Sequence, residues 1–154
     1  MGPGQMKRLV LDTNVVVSGL LFGGEPGKLV ELWKQKRIHP LFSREIIEEY
    51  LKVLAYPRFR LTESDIQFLL AHEILPCFEV VTVAKGMPFV KRDPSDDKFI
   101  WCAQQGKAEA IVSGDGHLLA LKKSPVPIMS VPEFLKQMKK IMNEGGHVNG
   151  IRQL

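Results

Sequence analysis

The chain has little cysteine and no long apolar run, and each shortage excludes something. Only two cysteines occur in 154 residues, Cys77 and Cys102, and they form no CxxC pair. That argues against a disulfide framework, and it fits a reducing cytoplasm. No stretch approaches the roughly 20 apolar residues that cross a bilayer, so no membrane association is expected. The opening MGPGQMKR lacks the apolar core of a secretory signal, and the apolar residues 15–21 follow an acid and belong to the fold. Repeats, low-complexity segments and a linker to a second domain are also missing.

The composition that remains is that of a globular protein, with 45% apolar and 25% charged residues. The length suits one domain spanning 1–154, with a core over about 7–138 and flexible ends at 1–6 and 145–154. The net charge is +4, a mild basic excess that permits a polyanionic partner.

Short apolar strands alternate with amphipathic helices. Residues 8–12 form a continuous apolar strand of the kind buried on both faces of a parallel sheet. Gly23, Gly24, Pro26 and Gly27 break the chain, and residues 28–36 follow as a helix. A short strand is expected at 39–42. Ser43 then caps a helix to about Tyr56 with an apolar stripe of Ile46, Ile47, Tyr50, Leu51 and Leu54. Thr62 with Asp65 opens another helix, to about Leu75. Residues 79–83 alternate as a strand and 85–94 form a loop. Asp93-Pro94 opens a helix to Gln105, ended by Gly106. Residues 110–113 make a strand running into Gly114-Asp115-Gly116. A short helix at 117–123, a strand at 127–130 and a helix at 132–142 complete the chain. This order predicts a three-layer α/β/α sandwich with a mostly parallel central sheet.

The acids fall where such a fold binds ligands, beyond the carboxyl ends of the strands. Asp12 directly follows an apolar strand, and Asp115 follows AIVSG. Asp93, Asp96 and Asp97 gather in DPSDD at a helix start, and Glu48-Glu49 lie on the helix after Ser43. Carboxylates brought together repel unless protons or cations neutralise them. An all-oxygen set suits Mg²⁺ or Mn²⁺, which promote in-line displacement at phosphorus.

Taken together, four segments resemble the PIN-domain family of metal-dependent nucleases, over about residues 7–138. LDTNV resembles the family's opening strand, acid and polar pair. FSREIIEEYLKVL resembles its helical glutamate followed by an apolar pair, with Glu49 in register and Glu48 the less favoured choice. In DPSDDKFIWCA, Asp96 stands seven residues before the small Ala103, as in the family. AIVSGD resembles the strand that ends on the fourth acid, Asp115. The DPSDD and GDGHLL segments look most like the bacterial and archaeal branch of toxins akin to VapC. Relatives often carry a further acid two residues after the fourth, where this chain has His117.

The resemblance implies a nuclease that cuts RNA with Mg²⁺ or Mn²⁺. Asp12, Asp96 and Asp115 would be metal ligands, helped by Glu49. Thr13 and Asn14 would orient Asp12, Ser113 would serve similarly near Asp115, and Asp93, Asp97 and Glu48 are further candidates. An antitoxin partner and a homodimer, paired through the helix at 62–75 and the helix before it, are implied too. Setting the four acids aside leaves 21 basic against 13 acidic residues, a balance of +8 that suits RNA. Lys34, Lys36, Arg37, Lys91, Arg92, Lys122 and Lys123 are candidate phosphate contacts. Phe89 either stacks on a base or plugs the core.

Three rival functions share parts of this pattern. A phospho-aspartate phosphatase also starts with an acid after an apolar strand, but needs a second acid where Asn14 stands. A catalytically silent PIN-like module would bind RNA or a partner without cutting. A housekeeping RNA-processing nuclease would keep the chemistry and lack an antitoxin.

Overall fold

The structure is a computed structural model and describes residues 7–86, 88, 89 and 94–146. Among the described residues five strands form one parallel sheet in the order β3-β2-β1-β4-β5. They are β1 (Lys7–Leu11), β2 (Ile38–Phe42), β3 (Glu79–Val80), β4 (Ala110–Val112) and β5 (Ile128–Met129). Every pair is parallel, and helices flank the sheet as a sandwich. Leu9, Val10 and Leu11 of β1 are consecutive and fully buried, as are Ile111 and Val112 of β4. Side chains that alternate faces can all be buried only where both faces are covered.

The helices are α1 (Thr13–Phe22), α2 (Gly24–Lys34), α3 (Arg44–Leu54), α4 (Glu63–Phe68), α5 (Asp97–Gln105), α6 (Gly116–Leu119) and α7 (Val131–Gly146). Ser43 caps α3 through Ile46 N at 3.3 Å. Thr62 and Asp65 complete a capping box on α4, with bonds of 2.8 and 3.0 Å.

Several boundaries differ from the sequence expectation. The Gly-Pro-Gly stretch does not delay the second helix. Gly23 and Gly24 take positive φ of 76° and 62°, which turns the chain tightly out of α1. Pro26 and Gly27 then lie in the first turn of α2, where Pro26 removes no helical hydrogen bond. The helix opened by Thr62 widens after Phe68 into a π-helical turn, Leu69–Ile74, with Leu75 N bonded to Leu70 O at 2.9 Å. There the Trp33 indole donates to Glu73 O at 2.9 Å and Ile74 is buried. Tertiary contacts of this kind leave no mark on a 3.6-residue period.

Strand β3 is only two residues long, although Val81 N still bonds Phe42 O at 2.8 Å. The helix expected from Asp93 starts instead as a tight 3₁₀ turn, Pro94–Asp96, and becomes regular at Asp97. The last helix runs four residues further than expected, to Gly146. Ser130 and Glu133 cap it reciprocally. Among the described residues no helix is long and apolar enough to cross a membrane.

The strand order fixes where a ligand can enter. From β1 the chain winds one way through β2 to β3, then crosses back to β4 and on to β5. The direction reverses between β1 and β4, which leaves a crevice beyond their carboxyl ends.

Candidate functional site

Asp12 stands at that crevice. Its backbone N–H continues the sheet by donating to Val112 O at 3.0 Å. Its side chain then caps α1, with Oδ1 accepting from Val15 N at 2.9 Å. Oδ2 accepts from the Ser113 hydroxyl and from Gly114 N at 3.1 Å, both just beyond β4. An acid can therefore leave a buried strand because three donors from two neighbouring strand ends receive it.

Burial nonetheless raises the Asp12 pKa above the ordinary aspartate value. The three hydrogen bonds pull it down, and the negative charge of Asp115 adds to the rise.

Asp115 caps the short helix α6, and its Oδ1 accepts from His117 N at 2.7 Å and Leu118 N at 3.3 Å. Its own N–H donates to the Ser113 oxygen at 2.9 Å. Ser113, fully buried, therefore ties both acids together through one hydroxyl. The His117 ring is half exposed, with Nδ1 4.0 Å from Asp115 Oδ1.

Glu49 reaches the same end of the molecule from α3. Oε2 accepts the buried Thr13 hydroxyl, and Oε1 pairs with the Lys98 ammonium at 2.6 Å. Glu48, its neighbour, is exposed and lies 3.9 Å from Arg44 on the helix surface. Thr13 thus acts on Glu49, while Asn14 is exposed at the start of α1. Asp96 is buried at the end of the 3₁₀ turn before α5. Asp97, also buried, accepts from Phe89 N at 2.9 Å and so faces the preceding loop. Asp93 lies outside the described residues, as do Lys91 and Arg92.

Two further residues beside these acids carry little signal in the sequence. The Tyr50 hydroxyl, fully buried, donates to Leu11 O at 2.6 Å and holds the strand end that carries Asp12. Burial first, then the nearby carboxylate of Asp12, push its pKa well above the ordinary tyrosine value. Lys98 is the second. Its one sequence signal is a place four residues before the buried Cys102, on a core-facing stripe where a lysine needs a partner.

Of the candidate phosphate contacts, Lys34 pairs with Glu73 at 2.9 Å and Lys36 donates to Pro76 O at 3.1 Å. Arg37, Lys122 and Lys123 are exposed. Phe89 packs against the core.

The donor chemistry suits a hard cation, since Asp12, Asp96 and Asp115 offer only oxygen and Asp12 and Asp96 are buried. Among the described residues no three acid, histidine or cysteine side chains close into a ligand cage. Mg²⁺ keeps several of its waters and binds through one or two carboxylates, so an open, partial set fits it.

An acid after the first strand, a second after the strand beside it and a parallel sheet reversing between them accord with the likeness of this chain to a known family. The PIN domain family matches residues 8–117. The chain belongs to the PIN-domain family. PIN domains are a nuclease fold, and this PIN domain resembles two solved structures at the level of the fold. One is PAE2754 from Pyrobaculum aerophilum, at 17% identity and a TM-score of 0.55, covering 90% of this chain and 99% of that one. The other is FitAcB from Neisseria gonorrhoeae, at 16% identity and a TM-score of 0.52, covering 80% and 97%. No curated protein matches the chain.

Proposed function

We propose that this PIN domain is a metal-dependent endoribonuclease and the toxin of a toxin–antitoxin pair. The observation that carries the nuclease reading is the pairing of Asp12 and Asp115 through Ser113 at the sheet's switch point. Asp12, Asp96 and Asp115 would hold Mg²⁺ or Mn²⁺, with Glu49 of α3 ordering the start of α1 beside them through Thr13. The ion supplies Lewis-acid charge at phosphorus and a more acidic attacking water.

The chain's own residues do the rest. Val15 N, Ser113 and Gly114 N hold the Asp12 carboxylate in one orientation, so little reorganisation is needed when substrate arrives. Asp115 is oriented by its cap on α6. The basic excess outside the acids supports RNA as the polyanion, with Arg37, Lys122 and Lys123 as exposed phosphate contacts.

The toxin role is supported by the resemblance of the DPSDD and GDGHLL segments to the VapC branch, and it implies an antitoxin and a cytoplasmic setting. Exposed Phe22, Phe68 and Leu75 favour a homodimer, because apolar groups of this size on a surface favour association.

The test is cleavage of a mixed labelled RNA pool with Mg²⁺, Mn²⁺ or EDTA, beside Asp12→Asn and Asp96→Asn. Metal-dependent cuts lost in both variants support the reading. RNA binding without cleavage would favour a silent binding module. Cleavage that survives both substitutions would mean a contaminating ribonuclease or a different site. An adjacent small reading frame whose product suppresses the activity would separate a toxin from an RNA-processing enzyme.

A further inference from the structure

The acid site contains its own cation. Lys98 is buried, with 7% of its surface exposed, and a lysine is buried at this level only when paired. Its ammonium meets Glu49 Oε1 at 2.6 Å, donates to the Ser95 carbonyl and lies 5.1 Å from the centre of the Phe99 ring. Two of its three donors thus have fixed acceptors, and an aromatic face adds to the attraction. On the other side, both oxygens of Glu49 are engaged, Oε1 by Lys98 and Oε2 by Thr13. The chain Thr13–Glu49–Lys98–Ser95 joins the start of α1, the middle of α3 and the turn that carries Asp96.

We infer that Lys98 is a positioning residue serving as the resident cation beside Glu49, so that the site takes one divalent ion rather than two. This rests on the metal-dependent reading proposed above. A carboxylate whose charge is cancelled and whose oxygens are both engaged is a poor ligand. A fixed ammonium at that point also repels a second cation. Glu49 then orients Thr13 at the start of α1 and anchors Lys98 beside the Asp96 turn. Asp12, Asp96 and Asp115 are left to share one ion.

Mn²⁺ titration of the full chain tests this, with bound and free ion counted by electron paramagnetic resonance. The variants are Lys98→Met, Glu49→Gln with Lys98→Met together, and Asp12→Asn. Wild type is expected to bind one ion per chain. The double variant removes both charges at once, keeps the pocket neutral and is expected to bind one ion within about threefold of wild-type affinity. Lys98→Met alone, if folded, frees the Glu49 charge and is expected to bind a second ion or to bind at least tenfold more tightly.

Two ions on wild type, or a tenfold or greater loss in the double variant, would overturn the assignment and leave the nuclease reading standing. If Asp12→Asn binds Mn²⁺ as wild type does, or wild type binds none, the metal reading fails and the Lys98 role falls with it. A double variant that holds one ion at wild-type affinity supports the role even if Lys98→Met alone does not fold.

Discussion

The Ser113 hydroxyl, 101 positions along the chain from Asp12, donates to its carboxylate across the gap between two parallel strands. The same oxygen accepts from Asp115 N. One small buried side chain therefore orients the Asp12 carboxylate and holds the backbone that carries Asp115. Ser113→Ala is expected to cut both Mn²⁺ affinity and RNA cleavage by roughly 10–100-fold. It should also lower stability by about 1–3 kcal/mol, because the Asp115 N–H loses its acceptor. Cleavage within threefold of wild type would show that the hydroxyl does not orient the site.

Tyr50 holds the same strand end from α3. Its hydroxyl satisfies the Leu11 carbonyl in a fully buried place. Tyr50→Phe is expected to cost about 1–3 kcal/mol, since a buried carbonyl loses a donor. For a domain of this size that lowers the melting temperature by roughly 2–4 °C per kcal/mol. An unchanged melting curve would rule out the hydrogen bond as a stabilising contact.

Asp97 governs the loop and Asp96 the proposed chemistry, although they are neighbours. Three α5 residues at spacings of four hold the loop down. Asp97 accepts from Phe89 N. The Trp101 ring packs so closely on Gly86 that an added Cβ would stand 2.9 Å from it. The Gln105 side chain exchanges hydrogen bonds with both backbone groups of Ala84, at 2.8 and 2.6 Å. Asp97→Ala is expected to speed tryptic cleavage after Lys85 roughly tenfold, the worth of one charge-assisted hydrogen bond. Asp96→Asn should leave that rate unchanged. Equal protease resistance in wild type and Asp97→Ala would refute the anchoring role.

Far from the crevice, Arg8 of β1 and Glu79 of β3 clasp each other across β2. Arg8 donates to both Glu79 oxygens, at 2.9 and 3.1 Å, and His39 meets Oε1 at 2.8 Å. The Arg8 bond first, then His39, lowers the Glu79 pKa from 4.5 to about 2. A pKa lower in the folded chain than in the unfolded one stabilises the fold above about 4.5. That contribution is lost as pH falls from there to about 2. Because 35% and 41% of these side chains are exposed, solvent screening limits the gain to about 1 kcal/mol. Glu79→Gln should melt roughly 2–4 °C below wild type at neutral pH, with the gap narrowing through that acid window. Identical melting at neutral pH would remove the clasp from the account.

Much of this protein was legible in its residues. Continuous apolar runs at β1 and β4 required a sheet covered on both faces, and alternation with helical stripes required that sheet to be parallel. The acids after those two strands pointed to its carboxyl edge for the same reason. Ser43, Thr62 and Asp65 announced their helices because a cap is a local interaction that sequence spacing records. Tertiary structure decided what spacing cannot carry. Register already favoured Glu49 over Glu48, but its contact with Thr13 depends on how α3 packs against α1 across the core. Lys98 enters the site because burial on α5 forces a lysine to find a carboxylate. The π-helical turn after Phe68 answers to Trp33, a partner forty positions from Glu73 in the chain. Local pattern determined the elements and the edge where the acids gather. Contacts between distant segments decided which acids share a hydroxyl and which one is held by the chain's own cation.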